Sequence, residues 1–367
     1  MAPIKVGIVG FGFAANCFHL PFILPNKDLA VYAFLQRAAP SAPRTKWGHC
    51  TDKFPEAKHY QTADDFFADP AIEVVVVASP NHEECARRAL NAGKHVVVEK
   101  PFTSSSAAAN ELIALAKAKG KILTVFQNRR FDSDYRTLVH LVQEGALGDV
   151  KEADIHFDFP GAPWIYNWTQ KEYEPGSGNL FGLGSHTLDQ AIALFGRPAS
   201  VTAFLRANRG MDSAIDDTYT VVLQYAGEQK DLLVTVKTAV VSVMKDQLRF
   251  FFGTCPQEAR AMAAPGQPAD DPSFGVEDAA IWGTLTTKDR AFDPAVQTLD
   301  AATGYYAGSY PSLPGSYRGY YENLAAAIRG TAEIAVTPES SRDGIRLIEL
   351  ARRSHDTGAT VPWSDAD

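Results

Sequence analysis

The sequence predicts an α/β domain, a doubly wound parallel sheet, followed by an α+β domain with a large, mostly antiparallel open sheet. Three observations predict it. Continuous apolar runs such as "IEVVVVAS" (72–79) and "HVVVE" (95–99) read as strands buried on both faces. These runs alternate with helix-spaced segments through the first third of the chain, the pattern of strand–helix–strand units. Beyond residue 150 the period changes: "EADIHFDF" (152–159) alternates polar and apolar residues, as a strand with one covered face does.

Taken in order, Ile4–Val9 is a buried strand followed by a glycine turn and a helix, and Ala30–Leu35 is a second strand. Strands at 72–79 and 95–99 flank "HEECARRALNAGK", whose apolar spacing and terminal Gly93 fit a capped helix. A helix over Ala107–Lys119 ends at Gly120, and "KILTVF" gives the next strand. The first domain is therefore expected over 1–123 and the second over 124–367. In the second, strands are expected at Glu152–Phe159, Val201–Arg206, Thr218–Tyr225, Asp231–Val241 and Gln247–Phe252. Residues 255–280, rich in Ala, Pro, Gly and Asp, read as a long loop. Residues 305–321 hold six tyrosines among Gly, Ser and Pro, expected as a packed loop, a subunit interface or a pocket wall. The last helix starts around Thr337-Pro338, with proline in its first turn.

The totals exclude several classes of function. A net charge of −8 offers no basic footprint for nucleic acid or an anionic membrane. The opening "MAPIKVGIVG" enters a strand at once, without the basic and long apolar segments of a signal peptide, and no apolar stretch approaches a membrane span. Cys17, Cys50, Cys85 and Cys255 lie far apart with no CxxC pairing, so neither a disulfide framework nor a metal site is expected. A cytoplasmic protein with free thiols is the resulting expectation.

The stretch "GIVGFGFAAN" places Gly10, Phe11, Gly12, Phe13, Ala14 and Ala15 between the first strand and a helix. Gly10-x-Gly12-x-x-Ala15 allows a tight turn and lets backbone N–H groups approach a pyrophosphate at the helix N-terminus, the arrangement of a dinucleotide-binding Rossmann domain. NAD binders usually carry an acid near the end of the second strand for the ribose 2′-hydroxyl. The corresponding "AFLQRAAPSAPRTK" has no acid but offers Gln36, Arg37, Arg44 and Lys46. A guanidinium such as that of Arg37 suits a 2′-phosphate, so NADP is expected in preference to NAD.

Ligands of open parallel sheets bind outside the carboxyl ends of the strands. "ASPNH", with Ser79, Pro80, Asn81 and His82, occupies one such end, and Glu99-Lys100-Pro101 another. A lysine following three valines would be costly in a dry core, but at a strand end it can project into the cofactor crevice. On position alone, Glu99 and Lys100 are either working groups or an ion pair capping the strand.

At this point the residues carry a resemblance. "GIVGFGFAA", "ASPNHEECARRALNAGKHVVVEKP", "QNRRFDSDY" and "GSGNLFGLGSHTLDQAIALFG" together resemble the glucose–fructose oxidoreductase/inositol dehydrogenase/rhizopine-catabolism (Gfo/Idh/MocA) family, over nearly the whole chain and in order. The resemblance implies hydride transfer between NAD(P) and a carbon bearing a hydroxyl or carbonyl in a sugar, sugar derivative or cyclitol. It implies that Lys100 contacts substrate and nicotinamide ribose, that Asn128 and Arg129 lie near the nicotinamide, and that His186 is the acid/base. It also implies a homodimer or homotetramer formed through the open sheet. One departure stands out: the family commonly has aspartate four residues before this histidine, where this chain has Gly182. Asp189 and Asp158 are candidate substitutes by proximity in sequence, and Asp189 a candidate substrate contact. Trp164, Tyr166, Asn167 and Trp168 would suit a polyol, aromatic faces against C–H groups and an amide on hydroxyls. The missing aspartate keeps two other readings open, a dinucleotide-sensing regulator of the galactose-repressor type and an imine or enone reductase.

Overall fold

The computed structural model describes residues 2–158, 161, 163–243 and 275–364. Among these, two compact units separate: 2–127 with Tyr317–Glu349, and 128–243 with 275–316 and 350–364.

The first unit is built on β1 (Ile4–Val9), β2 (Leu29–Leu35), β3 (Lys58–Tyr60), β4 (Val74–Val77), β5 (His95–Val98) and β6 (Leu123–Val125), in the order β3-β2-β1-β4-β5-β6. Every pairing is parallel. The four valines of β4 are fully buried, as a central strand covered on both faces requires. A π-helical turn at Ala15–His19 runs into α1 (Leu20–Ile23); α2 (Cys50–Lys53), α3 (Ala63–Ala68), α4 (His82–Asn91) and α5 (Ser106–Lys119) follow. Local chemistry sets the boundaries of α5: the Ser105 hydroxyl accepts from the Ala108 amide, and Gly120 ends the helix at φ +60°. The sequence did not reveal β3, α2 or α3. An edge strand of three polar and half-exposed residues carries no apolar run to read.

The chain continues through α6 (Ser133–Gln143), β7 (Glu152–His156), α7 (Asn179–Gly182), α8 (Gly184–Phe195), β8 (Ser200–Arg206), β9 (Thr218–Gln224) and β10 (Leu233–Thr238). Then come β11 (Thr284–Thr287), β12 (Thr298–Asp300), β13 (Tyr305–Ser309), α9 (Arg318–Ile328), α10 (Pro338–Thr357) and β14 (Val361–Pro362). The second unit holds a five-stranded sheet, β14-β8-β9-β10-β7, antiparallel except where β10 meets β7. Ala203, Val221, Val236 and Ile155 form one buried row across it. Helix α8 packs on β10 and β7. A small antiparallel sheet, β11-β13-β12, completes this unit.

The tyrosine-rich stretch 305–321 is not a loop throughout, since it forms β13 and enters α9. Tyr317, Tyr320 and Tyr321 are buried in the first unit, so these three are core rather than pocket wall. The strand expected at Gln247–Phe252, and most of the loop expected over 255–280, lie outside the described residues.

Candidate active site

In the first unit the strand order reverses at β1, between β2 and β4, which is where a doubly wound sheet opens its ligand crevice. Gly10 sits at that end of β1 with φ +95°, and a Cβ there would lie 3.0 Å from the Ala78 carbonyl oxygen. Both facts demand glycine. Around Gly12 the opposite holds: an added Cβ meets nothing within 4 Å. Packing leaves that side open, as close approach of a phosphate requires. The Asn16 amide N–H bonds to the Gly12 carbonyl, so helical bonding starts here and the preceding amides are the orphan donors of a helix start. Asn16 reinforces the turn, its Nδ2 donating to the carbonyls of Phe11 and Gly12. Phe11 is buried against Phe34 and Phe54, whereas Phe13 is 48% exposed and packs on Phe18 and Trp47. Ala15 is fully buried. This geometry fits a dinucleotide.

At the end of β2, Gln36 is occupied by structure: its Oε1 accepts from the Cys50 amide and its carbonyl from His59 Nε2. Arg44 donates to the Pro40 and Ala42 carbonyls and pairs with Asp52 at 2.7 Å, so it fastens its own loop. The hydrogen bond from Arg44 holds the Asp52 carboxyl below its ordinary value. Arg37 is exposed and Lys46 lies over the Trp47 ring, which makes these two the cations facing outward at this strand end. Trp47 and Phe18 escaped the sequence reading, because an isolated aromatic in a Pro/Arg-rich loop carries no periodic signal.

His49, Cys50 and His59 bring possible ligand atoms within 4.8 Å of one another. Their atoms are already used. His49 bonds Thr51 and the Ala38 carbonyl, His59 bonds the Gln36 carbonyl, and burial pushes the Cys50 thiol up to about 11. They form a packed, hydrogen-bonded cluster.

After β4, Ser79 is half-buried, Pro80 and Asn81 are exposed, and His82 opens α4. The Nδ1–H of His82 donates to the Pro101 carbonyl at 2.7 Å, tying that strand end to the next. Burial lowers the His82 pKa against the pull of that bond and of Glu99. After β5, Glu99 is 7% exposed, Lys100 is half-buried, and the Lys100–Pro101 peptide is cis. One Glu99 oxygen accepts from the Lys100 amide at 2.9 Å and the other meets His19 Nε2 at 3.0 Å. Burial pushes the Glu99 carboxyl up, but the His19 contact and the charges of His19, Lys100 and His82 outweigh it and hold it low. Glu99 is therefore a buried, ionised carboxylate, and the His19 partnership had no sequence signal.

In the second unit, Asn128 and Arg129 start a 3-10 turn, Asn128–Phe131. Asn128 is buried; Arg129 pairs with Asp132 and lies over the Phe157 ring. Arg130 grips Asp189 through two bonds of 2.7 and 2.6 Å. Asp189, 1% exposed, is thus committed to an arginine on the neighbouring turn. Burial raises its pKa more than Arg130 lowers it. Asp158 accepts from the Ala239 amide and lies 3.6 Å from His156. His186 is buried in the first turn of α8, and Gly182 closes α7 just before it. A Cβ at Gly182 would find Asn179 Oδ1 at an ordinary 3.7 Å. The wall expected from 164–168 separates into kinds. Trp164, Tyr166 and Asn167 are exposed, while Trp168 packs on buried Ile165 and Val240. Lys100 belongs to the first unit and His186 to the second.

A dinucleotide-binding domain is what the strand order and glycine turn define. The chain belongs to the Gfo/Idh/MocA family: residues 4–127 match the model described as "Oxidoreductase family, NAD-binding Rossmann fold", and residues 135–245 match the GFO/IDH/MocA C-terminal domain. An uncharacterized oxidoreductase of Schizosaccharomyces pombe, C26H5.09c, is 35% identical over 387 residues, covering 100% of both chains. The scyllo-inositol 2-dehydrogenase (NADP(+)) IolW of Bacillus subtilis is 32% identical over 365 residues, covering 98% of this chain and 95% of its own. Among solved structures, an oxidoreductase from Bacillus cereus superposes with a TM-score of 0.81 over 99% of each chain at 24% identity, a likeness of fold.

Proposed function

We propose that this protein is an NADP-preferring dehydrogenase or reductase acting on a CH–OH or carbonyl carbon of a sugar, sugar derivative or cyclitol. The observation that carries it is Glu99-Lys100-Pro101 at the end of β5, in the same unit as the glycine turn. Likeness to an NADP-dependent inositol dehydrogenase supports both cofactor and substrate class. Outward-facing Arg37 and Lys46 support the 2′-phosphate. Residues 10–15, Arg37, 79–82, Glu99, Asn128 and Arg129 hold the cofactor in this reading, and when bound the cofactor accepts or donates a hydride. Lys100 hydrogen-bonds the substrate oxygen and the nicotinamide ribose. His186 takes the hydroxyl proton as the hydride leaves the same carbon, so the alcohol becomes a carbonyl with one proton on imidazole. Trp164, Tyr166 and Asn167, being exposed, offer the polyol surface. Asp189 is not offered as the substitute for the missing aspartate, because Arg130 holds it.

The test is a spectrophotometric screen of NADP+ and NAD+ against aldoses, sugar acids, cyclitols including scyllo-inositol, and deoxy sugars. Turnover favouring NADP+ is expected, with Lys100→Met lowering kcat/KM by about 10²–10⁴-fold. Undiminished turnover in that variant would reject the assigned chemistry. Gly182 favours a second reading, a dinucleotide sensor or an imine or enone reductase. Tight cofactor binding without polyol turnover, in either direction, would select it.

A further inference from the structure

The first unit contains a buried chain of three polar side chains, from α9 through the π-helical turn to the end of β5. The Tyr321 hydroxyl lies 2.5 Å from His19 Nδ1, and His19 Nε2 lies 3.0 Å from Glu99 Oε1. The remaining Glu99 oxygen accepts from the Lys100 amide at 2.9 Å. His19 and Tyr321 are fully buried. Aromatic rings jacket them: Phe126 lies 4.5 Å from the imidazole and also contacts Tyr317, Tyr320 and Tyr321.

A carboxylate in such a jacket is costly unless it is paired and hydrogen-bonded, and it gains nothing here that an apolar side chain would not supply by packing. We propose that Tyr321 and His19 are positioning residues for Lys100, acting through Glu99. The proposal rests on the reading of Lys100 as a working group. A carboxylate only accepts, so the 3.0 Å contact calls for a proton on His19 Nε2. The ring N–H is not aligned on the oxygen as a hydrogen bond, and the pair is held as a close polar contact. Neutral His19 then accepts at Nδ1 from the Tyr321 hydroxyl, while protonated His19 donates to the same oxygen. Tyr321 satisfies both states, and phenylalanine would satisfy neither. The imidazole, and with it the carboxylate it touches, thus stays oriented in either case. Its second oxygen pins the backbone of Lys100, and its charge favours the ammonium form of that side chain. Among the described residues, the charged and titratable groups that act on this chain include Lys100 and His82 around Glu99, and Tyr320 beside Tyr321. The Tyr321 end is fully buried, while the Glu99 side chain, about 10% exposed, marks the end that adjoins Lys100.

Trace acetylation of the full-length protein at pH 8, read residue by residue by mass spectrometry, tests this without any substrate. With exposed Lys27 as internal standard, acetylation of Lys100 is expected to rise at least threefold in Glu99→Gln, His19→Leu and Tyr321→Phe. In His19→Gln, whose amide offers an N–H toward Glu99, it should return to within twofold of wild type. Lys100 reactivity unchanged in both Tyr321→Phe and His19→Leu would overturn the proposal and leave a packing contact. Should His19→Leu fail to fold, Tyr321→Phe, which removes one oxygen, decides alone. In turnover assays, kcat should fall at least tenfold in Tyr321→Phe with the KM for NADP+ within threefold. Polyol turnover absent from wild type would reject the proposed function while leaving the acetylation result standing, so the two failures are separable.

Discussion

Gly182 stands where the resemblance implies an aspartate, and the structure leaves room for a side chain there. An added Cβ there meets its nearest atom at 3.7 Å, and the backbone is helical. In Gly182→Asp a carboxylate would stand at the end of α7, four residues before His186 in the first turn of α8, and a carboxylate near that imidazole favours its imidazolium form. The acid limb of the kcat/KM–pH profile for alcohol oxidation is therefore expected to move to higher pH, as rates measured across pH 5–9 would show. Glu99 gives a second prediction. Its carboxyl is held below its ordinary value in the fold, so its contribution to stability is fully present above the unfolded value of about 4.3 and disappears as pH falls through the folded value. The difference in urea midpoint between wild type and Glu99→Gln should be constant near neutrality and shrink with acidification below that value. Neither prediction follows from sequence alone. The composition shows a glycine and a glutamate, and only packing shows that one has space beside it and the other has a histidine.

At the scale of elements, the second unit is tied together by arginine–carboxylate pairs that no spacing rule would find. Arg130, on the 3-10 turn, binds Asp189 of α8 59 residues away, and Arg352 of α10 binds Asp216 136 residues away. Removing one partner strands a charge that is 1% exposed. Arg130→Met should cost about 3–5 kcal/mol, measured as a lowered urea midpoint, and the double change with Asp189→Leu should recover much of it. Elements with strong local signals were legible: β1, β4, β5, α4, α5 and the α10 start were all visible as apolar runs, caps or a proline. Short elements were not. The Ala63–Ala68 helix is begun by a Thr62 cap but has only six residues, too few for a period to register. The tyrosine-rich stretch misled for a related reason, since glycine and proline are read as loop while register against β11 and β12 makes a strand of it.

For the whole molecule, the open sheet of the second unit raises the question of assembly. One face is buried in the row through Val221 and Val236; the other carries Thr202, Phe204, Thr220, Val222 and Thr235, with Phe204 56% exposed. β-branched and aromatic residues on an outward face suit a second copy of the sheet. A homodimer or homotetramer through this face remains our proposal. Light scattering coupled to gel filtration should give an oligomeric mass for wild type, and a smaller one for Phe204→Glu at unchanged circular dichroism. A monomeric wild type would reject it. Among the described residues no helix is long and apolar enough to cross a membrane.

The sequence by itself determined the dinucleotide turn, the parallel α/β class, the change to an alternating sheet and the position of Lys100 at a strand end. These are local properties: a φ that only glycine adopts, a two-residue or 3.6-residue period, a strand that stops. Tertiary structure alone decided that Arg44 serves its own loop, that Asp189 belongs to Arg130, and that Tyr321 returns across 302 residues to His19 and through it to Glu99. Hydrogen-bond partners are chosen by proximity in space, and the need of a buried charge for a partner is met by whichever element the fold brings past it.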